Sequence, residues 1–127
     1  MNFQTSRPIP DGGFRSTALW QRERILDALD RLIWTCSLST EVESPGELLD
    51  EMTELTRKYF DAQVESWHAD IGQDRLGHRE SHHFLLDFLQ CLRDDLGNMD
   101  KGLMLVQLHF IDKWLAEHFR EDDLTPA

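Results

Sequence analysis

The sequence predicts an all-α protein: an antiparallel up-down-up-down four-helix bundle spanning residues 1–127 as one domain, with an irregular N-terminal arm over 1–15. Three observations carry this expectation. Apolar residues recur at helical spacing in four separate stretches, and no stretch alternates as a strand would. No internal repeat or low-complexity tract interrupts them. The links between the stretches are short, which forces neighbouring helices to run in opposite directions.

Composition narrows the function classes. The 13 Lys and Arg against 24 Asp and Glu leave a net charge of −11, which argues against nucleic acid and against an anionic membrane surface as partners. No apolar run is long enough to span a bilayer, and the N-terminus lacks the apolar segment of a secretory signal. The two cysteines, Cys36 and Cys91, show no metal-finger or redox spacing, so they read as reduced thiols of a cytoplasmic protein.

The first 15 residues contain Pro8, Pro10, Gly12 and Gly13, which disfavour regular structure. The first helix is expected from about Ser16 to Ser37, with an inward stripe of Arg22, Ile25, Leu26, Leu29, Leu32, Ile33 and Cys36. Ser44-Pro45-Gly46-Glu47 reads as a capping box with proline at the first helical position, opening the second helix. Its stripe is Leu48, Met52, Leu55, Tyr59 and Gln63, with Ala62 alongside. After Gly72 the third helix runs from about Asp74 to Leu96 and stops at Gly97-Asn98. Its stripe is His78, His82, Leu85, Leu89 and Leu92. Asp100 can cap the fourth helix, whose expected inward face is Leu103, Gln107, Phe110, Ile111, Trp114 and His118.

In an up-down bundle these stripes share one feature. Arg22, Tyr59 with Gln63, His78 with His82, and His118 all fall at the same end, so every helix turns polar on its core face at one level. His78 and His82, four residues apart, stack on one helix face. Buried imidazoles need partners for their ring nitrogens, which leaves hydrogen-bonded core histidines or metal ligands as the readings. With His118 and a carboxylate one turn further on, Asp123 if the last helix frays and Asp122 as the alternate, the set suits iron, manganese or zinc. Glu65-x-x-His68 and Glu80-x-x-His83 match a di-iron carboxylate spacing but fall off the stripes, and His109 falls on the outer side of its helix. No serine or cysteine is placed for nucleophilic catalysis, so no enzymatic activity is expected.

These blocks resemble the bacterial hemerythrins, four-helix bundles that hold a bridged pair of irons and bind dioxygen. His78-Arg-Glu-Ser-His82-His-Phe-Leu85 is similar to the family's H-x-x-x-H-x-x-F-L. Trp114-Leu-Ala-Glu-His118-Phe-Arg-Glu-Asp-Asp123 is similar to W-L-x-x-H-I-x-x-x-D. The resemblance implies that His78, His82 and His118 serve one iron and that Asp123 is the carboxylate. It also implies that the second iron's ligand positions hold Arg22 (or Glu23), Tyr59 and Gln63, none of them the family residue. The implied protein holds at most one metal ion, iron or else zinc, and serves as a sensor or binding module rather than a reversible oxygen carrier. Dioxygen or another small diatomic is the ligand class implied. The alternatives are a di-iron site using Tyr59 and Glu23 as substitute ligands, and a metal-free interaction bundle. In the single-ion case the Arg22 guanidinium stands in for the second cation, paired with Asp123, while Tyr59 donates its hydroxyl to the same carboxylate.

Overall fold

The computed structural model describes the backbone of residues 14–38, 43–66 and 75–124, and the side chains of 17–38, 43–65 and 78–122. It comprises α1 (Phe14–Ser37), α2 (Pro45–Ser66), α3 (Arg75–Asp95) and α4 (Lys101–Leu124), with a 3-10 turn at Leu96–Asn98 between α3 and α4. No strand occurs among the described residues, and no helix there is long and apolar enough to cross a membrane. The N-terminal arm expected over 1–15 lies outside the described residues except for the first turn of α1.

The helix boundaries follow local chemistry. Pro45 opens α2 because its missing N–H would have no partner in the first turn anyway. Ser44 caps that end, its Oγ accepting the Glu47 amide at 3.3 Å. Asp100 does the same for α4, its Oδ1 accepting the Leu103 amide at 2.7 Å. At the other end of α1, Lys101 Nζ donates to the Leu38 carbonyl at 2.7 Å, placing a cation on a helix C-terminus and tying the start of α4 to the end of α1. Arg93 of α3 pairs with Asp50 of α2 at 2.9 Å, and Arg31 of α1 with Glu51 of α2 at 3.3 Å. These pairs are exposed to solvent, so they add little to stability and weaken further as salt screens them.

The core holds the helices together. Ile25, Ala28, Leu29 and Leu32 of α1, Leu48, Leu49 and Met52 of α2, Leu85 and Leu89 of α3, and Leu108, Ile111 and Leu115 of α4 are all buried. α1 packs against α2 and α4, and α2 against α3. The stripes expected for the first three helices face the core, with Arg22, Leu26, Ile33, Leu55 and His78 half-buried and the rest buried; Ala18, Ala28, Thr35, Leu49, Thr56 and Phe60 extend them.

The expected face of α4 is corrected by about one residue of rotation. Met104, Leu108, Ile111, Leu115 and Phe119 point inward, whereas Leu103 is 47% and Phe110 43% exposed. The reason is that α4 is apolar on two sides, so periodicity alone does not select one. The expected outcome is that Leu108→Ala costs about 2–5 kcal/mol in urea unfolding of dilute protein, while Leu103→Ala stays within about 0.5 kcal/mol. Equal losses would contradict the observed rotation of α4.

Candidate metal centre

His78 lies in the first turn of α3 and His82 one turn later, so both rings leave the same face of that helix. His118 occupies the equivalent position near the end of α4, with Asp122 one turn after it. Each of the three imidazoles offers a nitrogen, and these atoms lie within 4.8 Å of one another. The ring centroids are 5.7 Å apart for His78 and His82, 5.1 Å for His78 and His118, and 5.2 Å for His82 and His118. His82 and His118 are buried and His78 is half-buried.

Asp122 meets two of the three rings. One of its oxygens lies 2.8 Å from Nε2 of His78, and the other lies 3.6 Å from Nε2 of His118. The Asp122 side chain is only 3% exposed. A carboxylate buried this far needs compensation, and a second hydrogen bond supplies it: the Tyr59 hydroxyl donates to Asp122 Oδ2 at 2.9 Å. Arg22 Nε–H in turn donates to the Tyr59 oxygen at 2.9 Å. The Arg22 guanidinium also lies 5.0 Å from the centroid of the Phe119 ring, a cation–π distance.

One residue from each helix thus enters a single chain of contacts: Arg22, Tyr59, Asp122 and His78. Gln63 is buried at the same end of α2. Arg22, not Glu23, is the α1 residue that turns to the site; Glu23 is exposed. The carboxylate that reaches the histidines is Asp122, the alternate, while the Asp123 side chain lies outside the described residues. α4 continues to Leu124, and in an unbroken helix the residue stacked one turn beyond His118 is Asp122. Glu65, Glu80, His83 and His109 are exposed, as expected for residues off the stripes, and His68 lies outside the described residues. Among the described residues neither cysteine forms a disulfide; Cys36 is buried and Cys91 exposed.

Two aromatic contacts hold the imidazole planes. Phe60 stacks on His82 with centroids 3.8 Å apart and planes 2° from parallel. Trp114 stacks on His118 at 4.8 Å and 11°. Neither role was legible from periodicity. Phe60 follows Tyr59 directly, and one helix position marks it as half-turned from the stripe, yet its size carries it back into the core.

Electrostatics favour neutral donors. Burial lowers the His82 pKa to about 3, helped by the neighbouring imidazoles of His118 and His78. Burial also lowers His118, opposed by the Asp122 carboxylate. Burial, reinforced by Asp122, raises the Tyr59 phenol, while Arg22 pulls it the other way; the hydroxyl stays protonated and able to donate. A neutral imidazole has a lone pair for a metal, and Nε2 of His118 is buried with no hydrogen-bond partner among the described residues. That buried, unused acceptor fits a metal ligand better than a core histidine. A guanidinium next to a hydrogen-donating phenol, by contrast, presents a positive charge and no anionic ligand.

No family model, curated protein or solved structure matches the chain.

The depressed imidazole pKa values set a pH dependence. Between pH 6.5 and about 3 the unfolded chain protonates His82 while the folded chain does not, so stability present above that window is lost as the pH falls. For metal-free protein the His82 contribution at pH 5, relative to pH 7, is about 2 kcal/mol. Urea unfolding at both pH values should show a stability loss smaller by about that amount in His82→Gln than in the wild type. An unchanged difference would mean that His82 protonates freely in the folded protein.

Proposed function

We propose that this chain is a hemerythrin-like metal-binding module that holds one ion through His78, His82 and His118. The carboxylate of Asp122 lies against the site as a further ligand or as the hydrogen-bond partner of His78. The reading rests on one observation above others: three imidazole nitrogens converge within 4.8 Å at the end of a helical core. The contacts from Arg22 to Tyr59, from Tyr59 to Asp122 and from Asp122 to His78 support an up-down-up-down bundle, in which the start of α1 and α3 and the end of α2 and α4 share one level.

Three neutral nitrogens and one carboxylate suit ferrous iron or zinc. Bound there, such an ion would supply Lewis acidity and a coordination position for a small ligand. The chain's own residues do the rest. Phe60 and Trp114 fix two of the rings, and Tyr59 fixes the carboxylate. With the carboxylate as acceptor, a neutral His78 carries its proton on Nε2 and keeps its lone pair on Nδ1. Protons compete with a metal for imidazole lone pairs, so affinity falls as the pH drops.

A second ion is disfavoured by the residues beside the first. Arg22 brings a fixed positive charge to the position, and Tyr59 is already committed as donor to Asp122. A one-ion site makes reversible two-electron capture of dioxygen unavailable, which favours a sensor or binding module over an oxygen carrier. The expected outcome of elemental analysis, on protein purified without added metal, is one iron or zinc per chain. His82→Ala should lose it, and Tyr59→Phe should keep it. Two ions per chain would instead support a di-iron site, and none, even after loading with ferrous iron or zinc, would leave a metal-free interaction bundle.

A further inference from the structure

α3 and α4 meet through a seam of large aromatic rings rather than through close backbone packing. Phe88 and Phe110 lie 5.2 Å apart by centroid, Phe84 and Phe110 6.5 Å, and Phe84 and Trp114 6.4 Å. The seam is open to solvent. Phe84 is 48% exposed, Phe110 43%, Leu103 47% and Val106 62%. Phe84, Leu103 and Phe110 each sit one helix position, about 100°, from the buried stripes, and Val106 continues the apolar side of α4 further round toward solvent. Scattered exposed apolar residues need no explanation, but a contiguous group of rings does.

Its size points to an occupant. With an aromatic side chain presenting roughly 150–250 Å², the exposed parts of Phe84, Phe110, Leu103 and Val106 sum to about 400 Å² of apolar surface. A protein interface of standard size takes about 800 Å² from each partner, somewhat more than half of it apolar. The seam therefore supplies most of the apolar part of one such interface.

Charge along its margins identifies the partner. Asp87 lies three residues after Phe84 on α3, and Lys113 three residues after Phe110 on α4, both exposed. Asp87 borders the α3 half of the seam and Lys113 the α4 half, with the exposed Glu117 one turn beyond Lys113. A two-fold axis running along the seam sets α3 of one copy against α4 of the other, so each Asp87 border meets a Lys113 border. The axis thereby brings Asp87 and Lys113 into opposition twice.

We propose that the aromatic seam between α3 and α4 is a homodimer interface, closed by a second copy of this chain through Phe84, Phe110, Leu103 and Val106 and oriented by Asp87 and Lys113. The interface does not depend on whether the histidine cluster holds a metal. The remainder of each chain is strongly acidic, with a net charge of −11, so the two copies repel at long range and associate more tightly as salt screens that repulsion.

Sedimentation velocity on the full chain tests this, with reductant present so that the exposed Cys91 does not cross-link. The wild type should sediment as a dimer at roughly 100 µM and dissociate on dilution, within the micromolar range open to interfaces of this size. Phe84→Ser with Phe110→Ser should remain monomeric over the same range at unchanged helicity, since both side chains are exposed. Asp87→Lys should weaken the dimer at least tenfold, and adding Lys113→Asp should restore it. A wild-type chain that is monomeric at roughly 100 µM, or a double serine variant that dimerises as the wild type does, overturns the proposal.

Discussion

The Asp122 carboxylate is the group on which the polar end of this protein depends. Its side chain is 3% exposed, and a bare carboxylate so far from water would cost several kcal/mol. Two neighbours make it tolerable: His78 on one oxygen and Tyr59 on the other. Tyr59 is itself held by Arg22. With Asp122 these groups come from all four helices, so satisfying one charge also draws α1, α2, α3 and α4 together at that level. Hydrophobic burial supplies most of the stability elsewhere in the core; at this end, alignment is set by directional contacts.

The same arrangement explains why the histidines are suited to a metal. A carboxylate beside them would ordinarily favour their protonation, yet burial outweighs it for His118 and leaves both buried rings neutral. Phe60 and Trp114 cover ring faces, which keeps water from the imidazoles and fixes their planes. A donor set held this way gives up little freedom on binding an ion. Trp114 also stands at the edge of the aromatic seam, so the exposed α3–α4 surface and the imidazole cluster share a side chain.

Much of this was legible in the residues. The α3 stripe from His78 to Leu92 is uninterrupted, and the buried residues on that helix are the ones its spacing selects. Ser44, Pro45 and Asp100 marked helix starts correctly because capping is a local interaction that needs no tertiary context. The polar turn of each stripe at one end was also visible, since it needs only helix direction and length. α4 was harder: Leu103, Phe110 and Trp114 compete with Met104, Leu108 and Leu115, and only packing against α1 decides between them. The Asp122 contact was obscured for a different reason. In Glu121-Asp122-Asp123 the choice of carboxylate depends on whether the helix continues, and α4 continues to Leu124. The stacking of Phe60 on His82 and of Trp114 on His118 carries no sequence periodicity at all, because it depends on which rotamers the assembled core permits.

The central claim is that His78, His82 and His118 form the ligand set of a single ion. X-ray absorption spectroscopy of the protein loaded with ferrous iron tests it directly, because it counts imidazoles and detects a second metal in one measurement. A one-ion site gives about three imidazole nitrogens at roughly 2.0–2.2 Å, by analogy with other nitrogen-ligated metals, and no metal scatterer within about 4 Å. A metal–metal contribution inside that distance, or imidazole scattering equivalent to fewer than three rings, would contradict it.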